Sequence, residues 1–365
     1  MSTVQQQVQR AIDELVASGT ERGIQVAAYR DGESIVDAVA GVADPGSGRP
    51  VTSGTPFYNF SIGKGATATV AHVLVEQGLF DYETPVARLW PEFGARGKDK
   101  VTVRHVLTHT AGVPGLPPGT TAEDVCDWPT ICAAIADAEL WWEPGTRTGY
   151  HAYTFGYIVG EIVRGATGKA ISQVLAEQVA GPLGVADELY FGMPVAEHHR
   201  LAVLENQPGA DEMMASMPTD LPMFKATPLS LLPTAELGTR ADMLVADIPA
   251  GGKTSARAIA RMYAALLGEV DGVRLLSPDR LPEVAAPAFS GTDEVFGNEA
   301  VWGLGYAVGF PAGEERETVF GMAGAGGSWA GADTKSGLAI AVTKNMLSMD
   351  FSSVNQIVQI IDNAR

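Results

Sequence analysis

Two cysteines in 365 residues are too few for a disulfide framework, and Cys126 and Cys132 form no metal-binding pattern. They read as free thiols of a reducing cytosol. Basic side chains are also scarce. With 25 Lys and Arg against 43 Asp and Glu the net charge is −18, which repels a polyanionic partner and excludes nucleic acid. No apolar run approaches membrane-spanning length. The stretch from Met1 to Ser18 carries Gln, Arg, Asp and Glu, with Val4, Val8, Ile12 and Leu15 at helical spacing, in place of the apolar core of a secretion signal. The expectation is a cytoplasmic protein with neither a nucleic-acid nor a membrane partner. Charged residues are only 19% against 46% hydrophobic, so the chain is globular without long disordered tails. Its length favours two lobes around a shared cleft over one simple core.

What the sequence does have is Asn59-Phe60-Ser61-Ile62-Gly63-Lys64-Gly65, followed by Ala66, Ala68, Val70, Ala71, Val73, Leu74 and Val75 up to Gly78. The run is apolar on most faces, as in a helix buried on all sides. Ser61 opens that helix, and a residue three positions on lies on the same face one turn away, so the Lys64 amine can reach the Ser61 hydroxyl. A serine hydroxyl is a weak nucleophile until a base takes its proton. A lysine buried near a helix N-terminus is pushed toward its neutral, basic form by desolvation and the helix dipole. Taken alone, S-x-x-K is also what chance and an ordinary N-cap would supply. The apolar setting of Lys64 argues otherwise, because an unpaired ammonium there is costly.

Along the chain, Gly23 to Arg30 and Glu33 to Val42 read as two strands joined at Asp31-Gly32, a hairpin dipeptide. From Leu79 to about Pro287 the pattern is almost wholly helical. Thr102 is expected to cap a short helix and Thr130 another, and Phe155, Ile158, Val159, Ile162 and Val163 mark an amphipathic one. Ser277-Pro278 reads as an N-cap with proline at the first helical position. Lys253-Thr254-Ser255 reads as the cap of a helix through Ile259. Residues 193–249 show little period, and Met213, Met214, Met217 and Met223 fit either a cover over the cleft or a plain surface excursion. Trp302 to Phe310 alternates strictly and reads as a strand, Gly337 to Thr343 as another after an Asp333-to-Gly337 turn, and Val354, Ile357, Val358 and Ile361 as a closing helix. The fold class that follows is α/β (α+β): an antiparallel sheet built from both termini, 1–58 plus 288–365, flanked by terminal helices, with an inserted all-helical lobe over 59–287.

Several stretches together resemble the serine β-lactamase-like family, in its branch of class C β-lactamases, D-aminopeptidases, family VIII esterases and related acyltransferases. Ser61-Ile62-Gly63-Lys64 matches the first motif, and Val101-Thr102-Val103-Arg104-His105-Val106-Leu107-Thr108-His109-Thr110-Ala111-Gly112 is similar to the family's TVRHLLTHTSG segment. Trp142-Glu143-Pro144-Gly145-Thr146, then Tyr150, then Phe155-Gly156-Tyr157 resembles the second motif and the helix after it. Gly321 to Ser328 sits where the family carries K-T-G or H-x-G. The resemblance implies Ser61, Lys64 and Tyr150 as the catalytic set and the backbone N–H groups of Ser61 and Ala325 as the oxyanion hole. By its own context Tyr150 lies on a loop after a Pro-Gly turn, where a tyrosine is ordinarily a packing residue. Bonded to the lysine, it would act as partner base and later protonate the leaving group.

Two departures bear on substrate. Where the family often reads Tyr-x-Asn this chain has Tyr150-His151-Ala152, and Met322 replaces the Lys or His of the third motif. Ala152, Met322, Gly324 and Trp329 are therefore the candidate substrate-binding residues, Trp329 being a candidate for lining an acyl pocket if it is not core. His105 and His109 read as packing residues at a helix end, and the adjacent His198-His199 cannot face one metal, so neither a metal nor a cofactor is expected. The function expected is a serine hydrolase that forms an acyl-Ser61 intermediate from a small ester or amide and passes it to water. The alternative is transfer to an amine or alcohol acceptor. A β-lactamase, a D-aminopeptidase or a non-catalytic binding protein is disfavoured.

Overall fold

The computed structural model describes residues 3–210, 216–310, 316–348 and 350–364, so Met213 and Met214 lie outside the described residues. Among these, nine strands form one antiparallel sheet in the order Arg49–Pro50, Glu33–Asp44, Gly23–Arg30, Leu338–Lys344, Ser328–Asp333, Arg316–Gly324, Ala307–Gly309, Glu299–Trp302, Phe289–Thr292. The two ends of the sequence meet at its centre, where Gly23–Arg30 pairs with Leu338–Lys344 in the register Ala27↔Ala341. The first hairpin turns at Asp31 and Gly32, both at positive φ, and the last at Asp333 to Gly337.

Both faces of the sheet are covered, which is why its central strands are buried along their whole length rather than on alternate residues. On one face Val26, Ala28 and Val342 pack against Val8 and Ile12 of the helix Val4–Ala17 and Val354, Ile357 and Ile361 of the helix Ser352–Asn363. The opposite face presents Ala27, Ala330, Ala339 and Ala341. These small side chains let the helix Ala256–Leu267 lie directly on the sheet, although its sequence falls within the stretch read as the helical lobe. Ser255 caps that helix, as expected, by accepting from the Ala258 N–H.

Two local expectations change. Trp302 to Phe310 is not one strand. Gly303 and Gly305 turn it into a tight hairpin in which Ala307 pairs with Trp302, and Gly305, at φ +85°, comes so close to the helix Ile62–Glu76 that a β-carbon there would stand 2.4 Å from that of Ala68. Thr130 is not a cap: Asp127 caps the helix Trp128–Asp137, accepting from the Thr130 N–H. Ser277 caps the helix Arg280–Ala285 as expected, its hydroxyl accepting from the Arg280 N–H at 3.3 Å while donating to Glu76 at 2.8 Å.

Candidate active site

Ser61 stands at the head of the helix Ile62–Glu76, of which 14 residues are buried. The chain enters it through Phe60 at φ +46°, a left-handed conformation that costs a residue with a β-carbon about 1–2 kcal/mol. The surroundings hold it there. The Phe60 ring stacks on Tyr58 with centroids 4.6 Å apart, and the Phe60 carbonyl accepts from the N–H groups of Gly63 and Gly252, both at 2.9 Å. Asn59 is clamped on both sides, its N–H donating to the Gly252 carbonyl at 2.8 Å and its side-chain amide to Thr254 at 2.9 Å. Gly63 is needed at this contact, since a β-carbon would lie 2.3 Å from the Gly252 nitrogen.

A serine at this position usually spends its oxygen on capping the helix. Ser61 makes no such bond; its hydroxyl accepts instead from Lys64 Nζ at 3.1 Å. Lys64 is 1% exposed, and its second hydrogen bond goes to the Ala250 carbonyl at 3.2 Å. Among the described residues no carboxylate pairs with it. Burial without a counter-charge pushes the amine down to about 7.

Tyr150 is half-buried on the loop expected for it, its ring centroid 4.9 Å from Lys64 Nζ. Burial raises its phenol well above the usual tyrosine range, with the neighbouring Ser61 hydroxyl opposing this in part. The ring is walled by His109 at 5.0 Å, by Trp302 stacked near-parallel at 6.0 Å, and by Phe296 at 5.7 Å. His109 Nδ1 accepts from the His151 N–H at 3.0 Å. His151 in turn contacts the Gly149 carbonyl through Nδ1 at 2.6 Å and accepts from the Val113 N–H through Nε2 at 3.1 Å. Desolvation holds His151 down to about 4 and His109 well below the usual histidine range. Both are neutral scaffold at physiological pH, and His105 is a capping-box partner of Thr102. The packing role expected of His105 and His109 is what the structure shows.

The end of the strand Arg316–Gly324 meets the Ser61 turn. A β-carbon on Gly324 would lie 2.2 Å from the Asn59 carbonyl oxygen and 3.4 Å from Ile62, so glycine is what allows this approach. Ala325 follows at once. Among the described residues the backbone N–H groups of Ser61 and Ala325 have no hydrogen-bond acceptor.

The candidate substrate-binding side chains are placed less favourably. Met322 is 2% exposed and packs under the helix Ile62–Glu76, its Cγ 3.7 Å from where a β-carbon of Gly65 would be. Trp329 belongs to the core between the sheet and the terminal helices, on the face away from Ser61. It therefore cannot line an acyl pocket, because Ser328 to Asp333 alternates and Trp329 falls on the wrong side of the pleat. Ala152 is half-buried beside Tyr150. Sequence reading missed the Ala250 carbonyl and the clamp on Asn59. Their signal was Pro249-Ala250-Gly251-Gly252, a turn whose glycines permit close backbone approach.

The Beta-lactamase family model matches residues 8–361 of this chain. The esterase/beta-lactamase LipL of Mycobacterium tuberculosis is 36% identical over 343 residues, covering 89% of this chain and 77% of that protein. The crystal structure of a family VIII carboxylesterase superposes with a TM-score of 0.90 at 32% identity, covering 100% of this chain and 98% of its own. A penicillin-binding protein homologue from Caulobacter crescentus does so at 0.87 and 30%, covering 100% and 99%. The chain belongs to the Beta-lactamase family, and its fold is that of the family's esterases and penicillin-binding proteins.

Proposed function

We propose that the protein is a serine carboxylesterase acting through an acyl-Ser61 intermediate on a small-molecule acyl donor. The observation that carries this reading is Lys64, a buried amine with no counter-charge 3.1 Å from a serine hydroxyl that caps nothing. Neutral Lys64 takes the Ser61 proton as Oγ attacks the ester carbonyl. The carbonyl oxygen, now an anion, is received by the free N–H groups of Ser61 and Ala325. Tyr150, kept protonated by its burial, gives its proton to the leaving alkoxide and is reprotonated from Lys64. A water then attacks the acyl-enzyme, the same groups run in reverse, and Ser61 is released with the carboxylic acid product.

Esters are favoured over β-lactams and peptides because the cations that could hold a substrate carboxylate are engaged. Lys344 is buried on Glu21 at 2.7 Å, Arg147 lies 3.4 Å from Glu294, and position 322 is an apolar Met. A charge-assisted hydrogen bond lost in this way is worth about 1.5–3 kcal/mol. A similarity to an esterase/beta-lactamase and to a family VIII carboxylesterase supports the ester reading. Cys126 and Cys132 are unpaired thiols, the first pushed up to about 11 and the second higher still by burial, which suits a reducing cytoplasm. The test is turnover of 4-nitrophenyl acetate beside a chromogenic cephalosporin. The ester is hydrolysed and the cephalosporin barely so, and Ser61→Ala abolishes both; efficient cephalosporin hydrolysis would reverse the assignment.

A further inference from the structure

A cavity of about 420 Å³ opens beside the turn that carries Ala325. Its wall continues from Ala325 and Gly326 to Leu347 and Ser348, and is completed by 206–210, Leu229 and 232–234, all in the segment whose sequence shows no period. None of the residues that wall Tyr150, namely His109, Trp302 and Phe296, lines it. A leaving oxygen must meet Tyr150, so the alcohol portion of an ester lies on that wall. With the carbonyl oxygen at the Ala325 N–H, the acyl chain is directed into this cavity.

Among the described residues the lining contains no Asp, Glu, Lys, Arg or His, and apart from Gln207 its polar side chains are already committed. The Asn206 amide donates to Glu236 at 3.0 Å and its oxygen accepts from the Ala235 N–H at 2.8 Å. Ser348 Oγ accepts from Lys344 at 3.0 Å and donates to the Asp350 carbonyl at 3.3 Å. The Thr234 hydroxyl caps a helix by accepting from the Leu237 N–H at 3.2 Å. Gln207 stands exposed at the mouth. What faces the interior is apolar, chiefly Leu229, Leu232, Pro233 and Leu347. Gly326 keeps the floor open: at φ +97°, a β-carbon there would run into the Leu347 side chain at 2.5 Å.

We propose that this cavity is the acyl pocket and that it selects an uncharged, apolar acyl group longer than acetyl. The proposal rests on the reading of Ser61 as nucleophile. A charged acyl group would enter with no charged partner among the described lining residues, whereas each methylene buried is worth roughly threefold to fourfold in kcat/KM.

The experiment uses 4-nitrophenyl acetate, butyrate and hexanoate, with the 4-aminobutyrate and hemisuccinate esters as cationic and anionic counterparts. Leu229 is 56% exposed, so Leu229→Trp and Leu229→Asp alter the lip without loading the core, and thermal melting checks that both fold. The unmodified protein gains roughly tenfold from acetate to butyrate and discriminates at least as strongly against both charged esters. Leu229→Trp lowers the hexanoate-to-acetate ratio of kcat/KM about tenfold or more, and Leu229→Asp moves preference toward the aminobutyrate ester. Equal kcat/KM for all five esters, unmoved by either variant, would overturn the pocket while leaving the hydrolase reading intact if acetate turnover still depends on Ser61. Absence of acetate turnover in the unmodified protein would bring down both.

Discussion

Lys64 Nζ lies 3.1 Å from Ser61 Oγ, and the same nitrogen is held from the other side by the carbonyl of Ala250, 186 positions further along the chain. The pair is therefore local in sequence but is aimed by a distant segment. If Lys64 and Tyr150 activate Ser61, a serine-directed fluorophosphonate labels Ser61 in the unmodified protein. Lys64→Ala and Tyr150→Phe slow that labelling by about a thousandfold or more, since removing one member of a coupled set forfeits most of its effect. Labelling at full speed in both variants would remove Lys64 and Tyr150 from the mechanism.

The rate should follow the proton on Lys64. Its folded-state value is lowered to about 7 by desolvation, so the amine is an ammonium below that pH and a base above it. The acylation rate with an activated ester rises with pH and reaches half its plateau near pH 7. Lys64→Arg keeps a charge at every accessible pH and is slow throughout. Stopped-flow burst rates between about pH 5.5 and 8.5 measure this, and a flat profile would contradict the role of Lys64.

The closeness of the strand to the Ser61 turn is tested at Gly324. Its missing β-carbon would lie 2.2 Å from a backbone oxygen, which cannot rotate aside. Gly324→Ala should lower stability by about 1–3 kcal/mol and slow phosphonate labelling, because Asn59 and Ser61 must shift together. Gly291→Ala on the edge strand is the control, since the added carbon meets only the Phe289 ring at 3.5 Å. Equal behaviour of the two variants in denaturant melts and labelling would show that the contact is slack.

Much of this arrangement was legible in the sequence, and the parts that were not have a common cause. Ser61 and Lys64 could be paired from helical periodicity, and the sheet from alternation and turn chemistry at Asp31-Gly32 and Asp333–Gly337. Ala250 acts through its backbone carbonyl, and Asn59 is held by the backbone carbonyls of Gly252 and Thr254; every residue carries such a group, so no residue type announces these partners. Trp329 was assigned from its neighbourhood in the chain, but one step along a strand reverses the face, and the register that decides it comes from pairing with Ala323 and Val342. Trp302 to Phe310 alternates as a strand does, yet the positive φ of Gly305 folds it back on itself.

The ion pair of Lys344 and Glu21 joins the last strand of the sheet to the link after the first helix, with side-chain exposures of 2% and 1%. Ser353 also donates to Glu21, at 2.8 Å. Lys344→Met leaves the Glu21 carboxylate buried and unpaired, and should cost about 3–5 kcal/mol; Glu21→Gln combined with Lys344→Met should recover most of that. Urea unfolding of the two single variants and the double variant gives the coupling, and strict additivity would show that the two charges do not sense each other.

The central claim is a covalent one, and peptide mass spectrometry of the quenched protein tests it most directly. The protein is mixed with a large excess of 4-nitrophenyl butyrate, quenched in acid within the first turnover, and digested. One butyryl group per chain is expected, on the peptide containing Ser61, with no adduct and no turnover in Ser61→Ala. Turnover that persists in Ser61→Ala, or a butyryl group reproducibly on another residue in step with catalysis, would contradict the account.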